Sequence, residues 1–519
     1  MKDATKKLIS WQKVMVKSPE FDFVKKLIAK FPTAEIYLVG GAVRDLILEK
    51  NTKDFDFVVG KVDAKELEKF LSAIGKINLV GKSFGVFKFV PSTVIPAEAG
   101  ISAQKHEVPG QARDDNFFEP IDIALPRTEH AGMSGGYKDF EIQSDKNLPI
   151  TEDLSRRDFT INALAWDIKN QKLIDEFDGL GDLKNKTIKA IGNPTTRFQE
   201  DYTRMLRAIR FSCQLDFLIE AHTLQTINDK ATKISTIAKE RLNEELTKII
   251  MSAKAEDGIR LMQSIGLLKI IIPELDSAVG VSQNKHHIYD VFEHSVRALG
   301  AGAEKNFSLH VRLAAMLHDI GKPDTKEGQG ENSTFYNHDQ VGAKMTKTIL
   351  RRLGFSNDII DQTVHLVRFH MFYYALDTVS DAGVRRLLAR LGKENIQDFI
   401  DMRICDRLGM GRPKAKPWKL IELERRLKEV QLDPITPKML KLNGTELMEI
   451  LNILPGPRIG LILNALLGEV LEDPQKNEKE YLAKKIKELN KLKETELKNL
   501  NPDVKFYNEE RKRLLHQEK

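Results

Sequence analysis

Cysteine is nearly missing: Cys213 and Cys405 lie far apart among the 519 residues and form no CxxC spacing. That excludes a disulfide framework and a zinc knuckle, and fits a reducing, cytoplasmic setting. Long apolar runs are missing too. The greasiest stretches, Leu267–Ile272 and Ile459–Leu467, fall far short of the roughly 20 residues that cross a bilayer, so no membrane association is expected. The opening MKDATKKLISWQK has no apolar core followed by small residues, and no signal peptide is expected. Neither sign of charge dominates. Lys and Arg number 81 against 75 Asp and Glu, and the resulting +6 permits a nucleic-acid partner without demanding one. Aromatics are only 7%, but 41% hydrophobic and 30% charged residues are ordinary for a globular chain, which excludes wholesale disorder. A chain this long should divide into roughly two to four domains.

The β-rich runs IYLV (36–39) and FDFVV (55–59) are joined by GGAVRDLILEK, which opens on two glycines and then reads as a helix. Further β-type runs follow at Val86–Val90 and Ile121–Ala124. After about Thr160 helical periodicity runs almost unbroken, which predicts an α+β N-terminal domain leading into a long all-α portion. Residues 91–116 interrupt two strand-like runs with Pro, Gly and small polar residues; they read as an inserted surface loop and resemble segments that mobile palindromic repeats add to bacterial genes. From Glu472 onward Lys and Glu dominate, with Glu480 and Lys484 at helical i,i+4 spacing, and a solvated helix is expected.

Asp54 and Asp56 in TKDFDFVVG stand one residue apart, so on a strand their carboxylates share a face. Two hard oxygen ligands side by side suit Mg²⁺, as phosphoryl and nucleotidyl transfer require. Paired aspartates also occur at sheet edges, so context decides. Gly40 and Gly41 open the preceding helix, where backbone N–H groups can approach a phosphate. Arg44 can clamp a triphosphate oxygen, with Asp45 orienting the turn or the arginine.

LVGGAVRD followed by KDFDFVV resembles the signature of class II template-independent nucleotidyltransferases, the tRNA CCA-adding enzymes and bacterial poly(A) polymerases. RRDFTINALAWD (156–167) is similar to the family's ribose-binding motif, DGLGDLKNKTIKAIG (178–192) to its hinge region and RFQEDYTRMLRAIRF (197–211) to its base-recognition helix. The match runs over residues 34–275. It implies a mixed-sheet nucleotidyltransferase head, related to DNA polymerase β, followed by a helical neck and body. The expected activity is addition of CCA, or part of it, to the tRNA 3′ end from CTP and ATP; poly(A), A-only or CC-only synthesis are the alternatives within the family.

The residues support that chemistry independently. Arg157, Asp158 and Asn162 along an expected helical run offer a phosphate clamp and ribose hydrogen-bond partners; the alternative is a helix cap with surface ion pairs. By resemblance, Asp158 and Asn162 contact ribose. Asp201 and Arg204, expected on one helix face, can accept from an exocyclic amine and donate to a ring acceptor, the edge that cytosine and adenine share. By resemblance, Arg204 and Arg207 are nucleotide ligands. Arg210 either joins them or pairs with acids such as Glu200. Asp122 lies on a strand expected beside the Asp56 strand and is a candidate third carboxylate; Arg127 is a candidate only.

A second constellation follows residue 280. His294, then His318 and Asp319 in LHDIGKP, then Asp406 supply imidazole and carboxylate ligands for a transition metal or Mg²⁺. This order resembles the HD superfamily of metal-dependent phosphohydrolases, which adds a rival activity, phosphohydrolysis, to be weighed against a retained scaffold. His370 belongs to the same run of histidines, His338 and His365 are candidates for a second metal site, and His286 and His287 read as surface residues. Lys441–Leu471 resembles the segment following the HD domain in bacterial CCA-adding enzymes, and Lys82–Phe89 looks more like those enzymes than like poly(A) polymerases. The expected division is an N-terminal helical extension (1–33), head (34–175), neck (176–275), HD domain (276–415), body (416–475) and charged tail (476–519).

Overall fold

The computed structural model describes residues 1–80, 86–94, 119–131, 140–284, 288–371 and 379–502. Most of the 91–116 insertion, the first part of the Lys82–Phe89 motif, and His286 and His287 lie outside the described residues. The chain forms two compact units, Met1–Asp276 with Arg352–Phe355, and the remainder.

In the first unit the strands are β1 (Glu35–Val39), β2 (Asp56–Gly60), β3 (Gly75–Val80), β4 (Val86–Pro91), β5 (Ile121–Ala124), β6 (Arg127–Ala131), β7 (Phe140–Ser144), β8 (Ala165–Asp167) and β9 (Lys172–Ile174). Seven of them make one mixed sheet in the order β3-β4-β5-β2-β1-β8-β9. Only the β2–β5 pair in it is parallel, and its register sets Asp56 opposite Asp122. Strands β1 and β2 are buried almost throughout, as central strands covered on both faces are. Behind them Trp166 donates its indole N–H to Gln12 Oε1 at 2.7 Å, and Gln12 Nε2 donates to the Ile168 carbonyl at 2.8 Å. This ties the N-terminal helix Lys2–Met15 to the sheet and pairs both ends of the buried Gln12 amide.

Two expectations need correction. Residues beyond Thr160 are not continuously helical: β8 and β9 complete the sheet, and Thr187–Ile188 pairs with Leu218–Ile219. The short apolar run ALAW is buried on all sides and so carries no alternation from which a strand could be read. The described part of the charged tail is also not merely solvated. Leu482, Ile486, Leu489 and Leu497 pack into a core with Leu447, Ile462, Leu466 and Val470. Each buried leucine there is worth roughly 1.5–3 kcal/mol, more than the Lys and Glu of the outer face.

The second unit is helical. Helices Val291–Glu304, Leu309–Leu317, His338–Arg352, Asn357–Phe369 and Ile396–Gly409 carry the histidines and aspartates of the second constellation or lead directly to them. Among the described residues no helix is long and apolar enough to cross a membrane.

Candidate active site and a second buried cluster

The head site is assembled at the ends of β1, β2 and β5. Asp56 is the first residue of β2 and Asp54 precedes the strand in extended chain, so the strand-face argument applies to Asp56 alone. Asp54 is nonetheless close enough to act on it. The Asp56 carboxyl is pushed up to about 6 by burial and by the negative charges of Asp54 and Asp122, with Arg157 opposing. Asp122 is raised as well, chiefly by burial, against the pull of Lys88, whose Nζ lies 3.6 Å from Asp122 Oδ1. The carboxylates are therefore short of positive charge.

Gly40 closes β1 with φ +71° and precedes the seven-residue helix Gly41–Ile47. A Cβ at this position would lie 2.5 Å from Arg157 Nη1 and 3.7 Å from Asp56 Oδ2, and the positive φ itself calls for glycine, so the bare backbone leaves room for the arginine beside Asp56. The Gly40 N–H donates to the Leu164 carbonyl at 3.1 Å and is thus committed to the fold rather than to an anion. Arg44 spans two acceptors. Its Nε and Nη2 donate to Asp45 at 2.8 and 2.9 Å, the orienting contact expected of Asp45, and its Nη1 donates to Asn162 Oδ1 at 2.7 Å.

Arg157, Asp158 and Asn162 do not share a helix. The helix Ile150–Ser155 ends before them, and Asn162 closes a 3-10 turn, Thr160–Asn162. The turn still brings the last two together: Asn162 Nδ2 and the Phe159 N–H donate to Asp158 Oδ1 at 3.0 and 2.8 Å. Arg207 Nε donates to Asp158 Oδ2 at 2.8 Å. Burial opposes ionisation of Asp158, yet Arg207 and Asn162 hold its carboxyl well below the ordinary range. A continuous chain of contacts thus runs from Arg44 through Asn162 and Asp158 to Arg207.

Asp201 and Arg204 also depart from the expected shared helix face. The chain is extended at Asp201, between helices Pro194–Glu200 and Thr203–Leu215. Arg241 grips Asp201 with both terminal nitrogens, at 3.0 and 2.7 Å. Arg204 turns inward and donates to Glu200 Oε2 at 2.5 Å and to the carbonyls of Arg197 and Arg156 at 3.0 and 2.9 Å. Arg210 pairs with buried Glu245 at 3.0 Å, not with Glu200. Arg127 lends its backbone N–H to Asp153 Oδ1 at 3.3 Å.

Sequence reasoning passed over four residues of this site. Asp153 is fully buried and anchors Arg156 at 2.8 Å and Arg157 at 3.3 Å; its i,i+4 spacing to Arg157 was the available signal. Phe211 presents its ring to Arg44, Arg207 and Arg210 at 5.1, 5.4 and 4.4 Å, a cation–π platform whose signal was an aromatic within an arginine-rich helix. Glu245 and Arg241 lie 35 and 40 residues from their partners, and no local pattern reveals them.

In the second unit His294, His318, Asp319 and Asp406 come together as expected. The Nε2 atoms of His294 and His318 are 3.0 Å apart. Asp319 Oδ2 lies 3.4 and 3.3 Å from them, and Asp406 Oδ1 3.4 and 3.8 Å. Burial opposes ionisation of Asp319, but His318 and Lys322 hold its carboxyl far below the usual range. Gly321 admits the next helix: a Cβ there would lie 2.4 Å from the His338 carbonyl. His365 is not a member. Its Nε2 contacts the Leu391 carbonyl at 2.9 Å, and His370 takes the place beside His338, with Nε2 atoms 3.3 Å apart. The two histidines are five residues apart, about 140° round a helix, so only one can face the cluster. The donor sets His294–His318–Asp406 and Asp319–His338–His370 each converge closely enough to hold one cation, and their imidazole and carboxylate donors fit a divalent ion.

Three stretches match family models: residues 36–189 the poly(A) polymerase head domain, 216–279 the probable RNA- and SrmB-binding site of polymerase A, and 291–411 the HD domain. The chain is 34% identical over 351 residues to an A-adding tRNA nucleotidyltransferase of Deinococcus radiodurans, covering 64% of this chain and 79% of that protein. It is 31% identical over 366 residues to a multifunctional CCA protein of Xanthomonas axonopodis, covering 69% and 80%. Against a CC-adding tRNA nucleotidyltransferase of Thermus thermophilus identity is 26% over 447 residues, covering 83% and 89%. Among solved structures, the Bacillus stearothermophilus CCA-adding enzyme in complex with CTP shares the fold at TM-score 0.63 and 21% identity, over 93% of this chain and 100% of that one.

Proposed function

The chain belongs to the family of tRNA nucleotidyltransferases and bacterial poly(A) polymerases, and from that premise we propose that it extends the 3′ end of tRNA. It adds CCA, or part of it, from CTP and ATP with release of pyrophosphate, in the cytoplasm. The observation that carries this reading is the register that sets Asp56 opposite Asp122 on parallel neighbouring strands, with Asp54 and Arg157 near enough to act on the Asp56 carboxyl. Carboxylates that raise one another's affinity for protons fit Mg²⁺ equally well. Asp54 and Asp56 would hold it, with Asp122 as a third carboxylate, and when bound it would activate the 3′-hydroxyl and neutralise the triphosphate.

The chain's own residues supply the rest. Arg157 stands near the carboxylates and Arg44 beside Gly41, and both would receive phosphate oxygens, with Gly40 and Gly41 keeping that approach open. Asp158 is kept ionised by Arg207 and oriented by Asn162, so its carboxylate accepts from a ribose hydroxyl. Asp201 and Arg204 read the base edge, and a base entering there exchanges with Arg241 and Glu200, their present partners. Arg210, paired with Glu245, and Arg127 support the site rather than touch substrate. We assign 34–175 to the head, 176–275 to the neck and 276–415 to the HD domain, and extend the body from 416–475 through the described part of the tail.

The test is incubation with tRNA lacking its last three nucleotides, with each nucleotide alone and then with CTP plus ATP. Extension by C, C and A supports the full activity; a stop after CC, or A added only to a CC end, narrows it. Long adenylate runs or no extension overturn it.

The histidine cluster favours a second reading beside the first. His294, His318, Asp319 and Asp406 would hold a transition metal or Mg²⁺ for phosphoester hydrolysis. A Ni²⁺- or Mg²⁺-dependent phosphatase activity that survives Asp54→Ala and fails in Asp319→Ala supports it. Its absence from the wild-type chain overturns it.

A further inference from the structure

We infer that Trp11 and Phe21 of the N-terminal extension are positioning residues for the head site, clasping Phe55 and so fixing the aspartates on either side of it. This rests on the reading of Asp54 and Asp56 as the pair that holds the metal. Phe55 is the residue between them. Its ring lies nearly parallel to that of Trp11, with centroids 5.9 Å apart and planes at 19°, and meets Phe21 edge-on at 5.0 Å and 83°. Trp11 and Phe21 are themselves 6.2 Å apart at 74°, so the three rings close a triangle in which each pair adopts a geometry the ring quadrupoles favour. The row continues along the sheet. Phe57 lies 6.3 Å from Phe21 and 5.5 Å from Phe23, and Phe23 lies 5.3 Å from Phe89 of β4. Residues 55 and 57 are two apart in extended chain and share a face, which leaves Asp56 on the other. The extension thus backs the segment that bears the carboxylates.

That segment needs backing. Asp56 stands in register with Asp122 and one residue from Asp54, and like charges so placed push one another apart. Asp56 and Asp122 are restrained by the strand pairing on either side of β2, but Asp54 precedes the strand and is held through its neighbours. Thr52 Oγ1 donates to the Asp54 carbonyl at 3.2 Å, the Asp122 N–H donates to the Phe55 carbonyl at 3.1 Å, and the clasp holds the Phe55 ring. The clasp is anchored in turn. Trp11 adjoins Gln12, which is bonded to Trp166 and Ile168, and Phe21 closes the 3-10 turn whose Pro19 carbonyl accepts from Thr93 Oγ1 at 3.0 Å. From the same helix as Trp11, Lys7 Nζ donates at 3.0 Å to the Ile47 carbonyl, at the end of the helix that carries Arg44. Carboxylates held from behind keep their spacing before a cation arrives, so binding it requires less ordering. Trp11 and Phe55 are half-buried, and replacing the Trp11 ring removes the stacking contact without opening the core.

The experiment uses the full chain after chelator treatment and desalting. Mn²⁺ binding is followed by the electron paramagnetic resonance signal of the free ion, the head's share being the part that Asp54→Ala with Asp56→Ala removes. Trp11→Leu should weaken that share about tenfold, the scale of losing one or two aromatic pairs. The Mg²⁺ needed for half-maximal transfer should rise by the same factor, with kcat at saturating Mg²⁺ within about twofold of wild type. Trp11→Phe should restore most of the affinity, and Phe21→Leu should shift it in the same direction. Phe21→Leu carries the comparison alone if Trp11→Leu does not fold. A lowered unfolding midpoint with Mn²⁺ affinity and Mg²⁺ requirement unchanged overturns the inference, because the rings would then only support the fold. If Asp54→Ala with Asp56→Ala removes no bound Mn²⁺, the metal-holding reading itself is wrong.

Discussion

Asp54 in the head is exposed and Asp56 and Asp122 are half-buried, whereas His294, His318, Asp319 and His370 of the second unit are at most 2% exposed. The head site offers oxygen donors only and keeps Asp54 in solvent with Asp56 and Asp122 partly covered, where a cation could arrive and depart with a triphosphate. The histidine cluster is sealed and mixes nitrogen with oxygen. Its charges are balanced from within, by Lys322 on Asp319 and by Arg403 on Asp406 at 3.2 Å. Burying such groups costs several kcal/mol unless they are paired or bound to metal. The comparison teaches that one donor set lies at the edge of solvent while the other is enclosed in a helical core, among groups that already pair with one another.

The sharpest way to break this contrast is to remove the head carboxylates. Asp54→Ala with Asp56→Ala should lower nucleotide transfer by at least about 10³-fold, the scale of losing a catalytic metal. Binding of tRNA by gel shift and metal content of the histidine cluster should stay near wild type. Transfer at wild-type turnover would refute the head assignment.

Next in size is Asp153→Asn, which strands Arg156 and Arg157 without their buried partner. A loss of about 3 kcal/mol is expected in the unfolding transition of the first unit, followed by denaturant titration, with the second unit unaffected. A change below about 0.5 kcal/mol would show that Asp153 anchors nothing.

The pH dependence follows from Asp56. Its carboxyl, raised to about 6 from the ordinary 3.8, binds a proton more tightly than an exposed aspartate does. Protons therefore compete with Mg²⁺ as pH falls below 6, and the Mg²⁺ needed for half-maximal transfer should rise about tenfold per pH unit there, while staying flat above. Asp122→Asn removes a like charge and should move the break to lower pH. A break that stays in place would separate Asp122 from the site. The smallest effect is expected from excising 95–116, which should leave transfer within about twofold if the insertion is a passenger.

Local sequence carried much of the head. β-rich runs marked β1, β2, β4 and β5, and the doubled glycine was read as a place where backbone N–H groups approach a phosphate, whereas the Gly40 N–H is bonded within the fold and its missing Cβ leaves room for Arg157. The site failed to be legible where its residues leave regular structure. Arg157, Asp158 and Asn162 sit in a turn, and Asp201 stands at a break between helices, so helical spacing misjudged how they are brought together. His365 was preferred to His370 for the same reason: both lie near the end of one helix, and periodicity cannot say which side meets the cluster.

The amino-acid sequence by itself determined the chemical inventory: paired aspartates behind a glycine turn, an arginine-rich helix, and histidines with an adjacent aspartate. It did so because those groups are specified by residue type and short spacing. Only the tertiary structure decided which distant groups meet. Asp122 faces Asp56 through a parallel strand register, Arg241 closes on Asp201 across 40 residues, and Asp319 turns one oxygen to each histidine pair. Such pairings are set by packing between elements, which buries charge only where a partner of opposite sign, or a metal ion, is delivered to the same place.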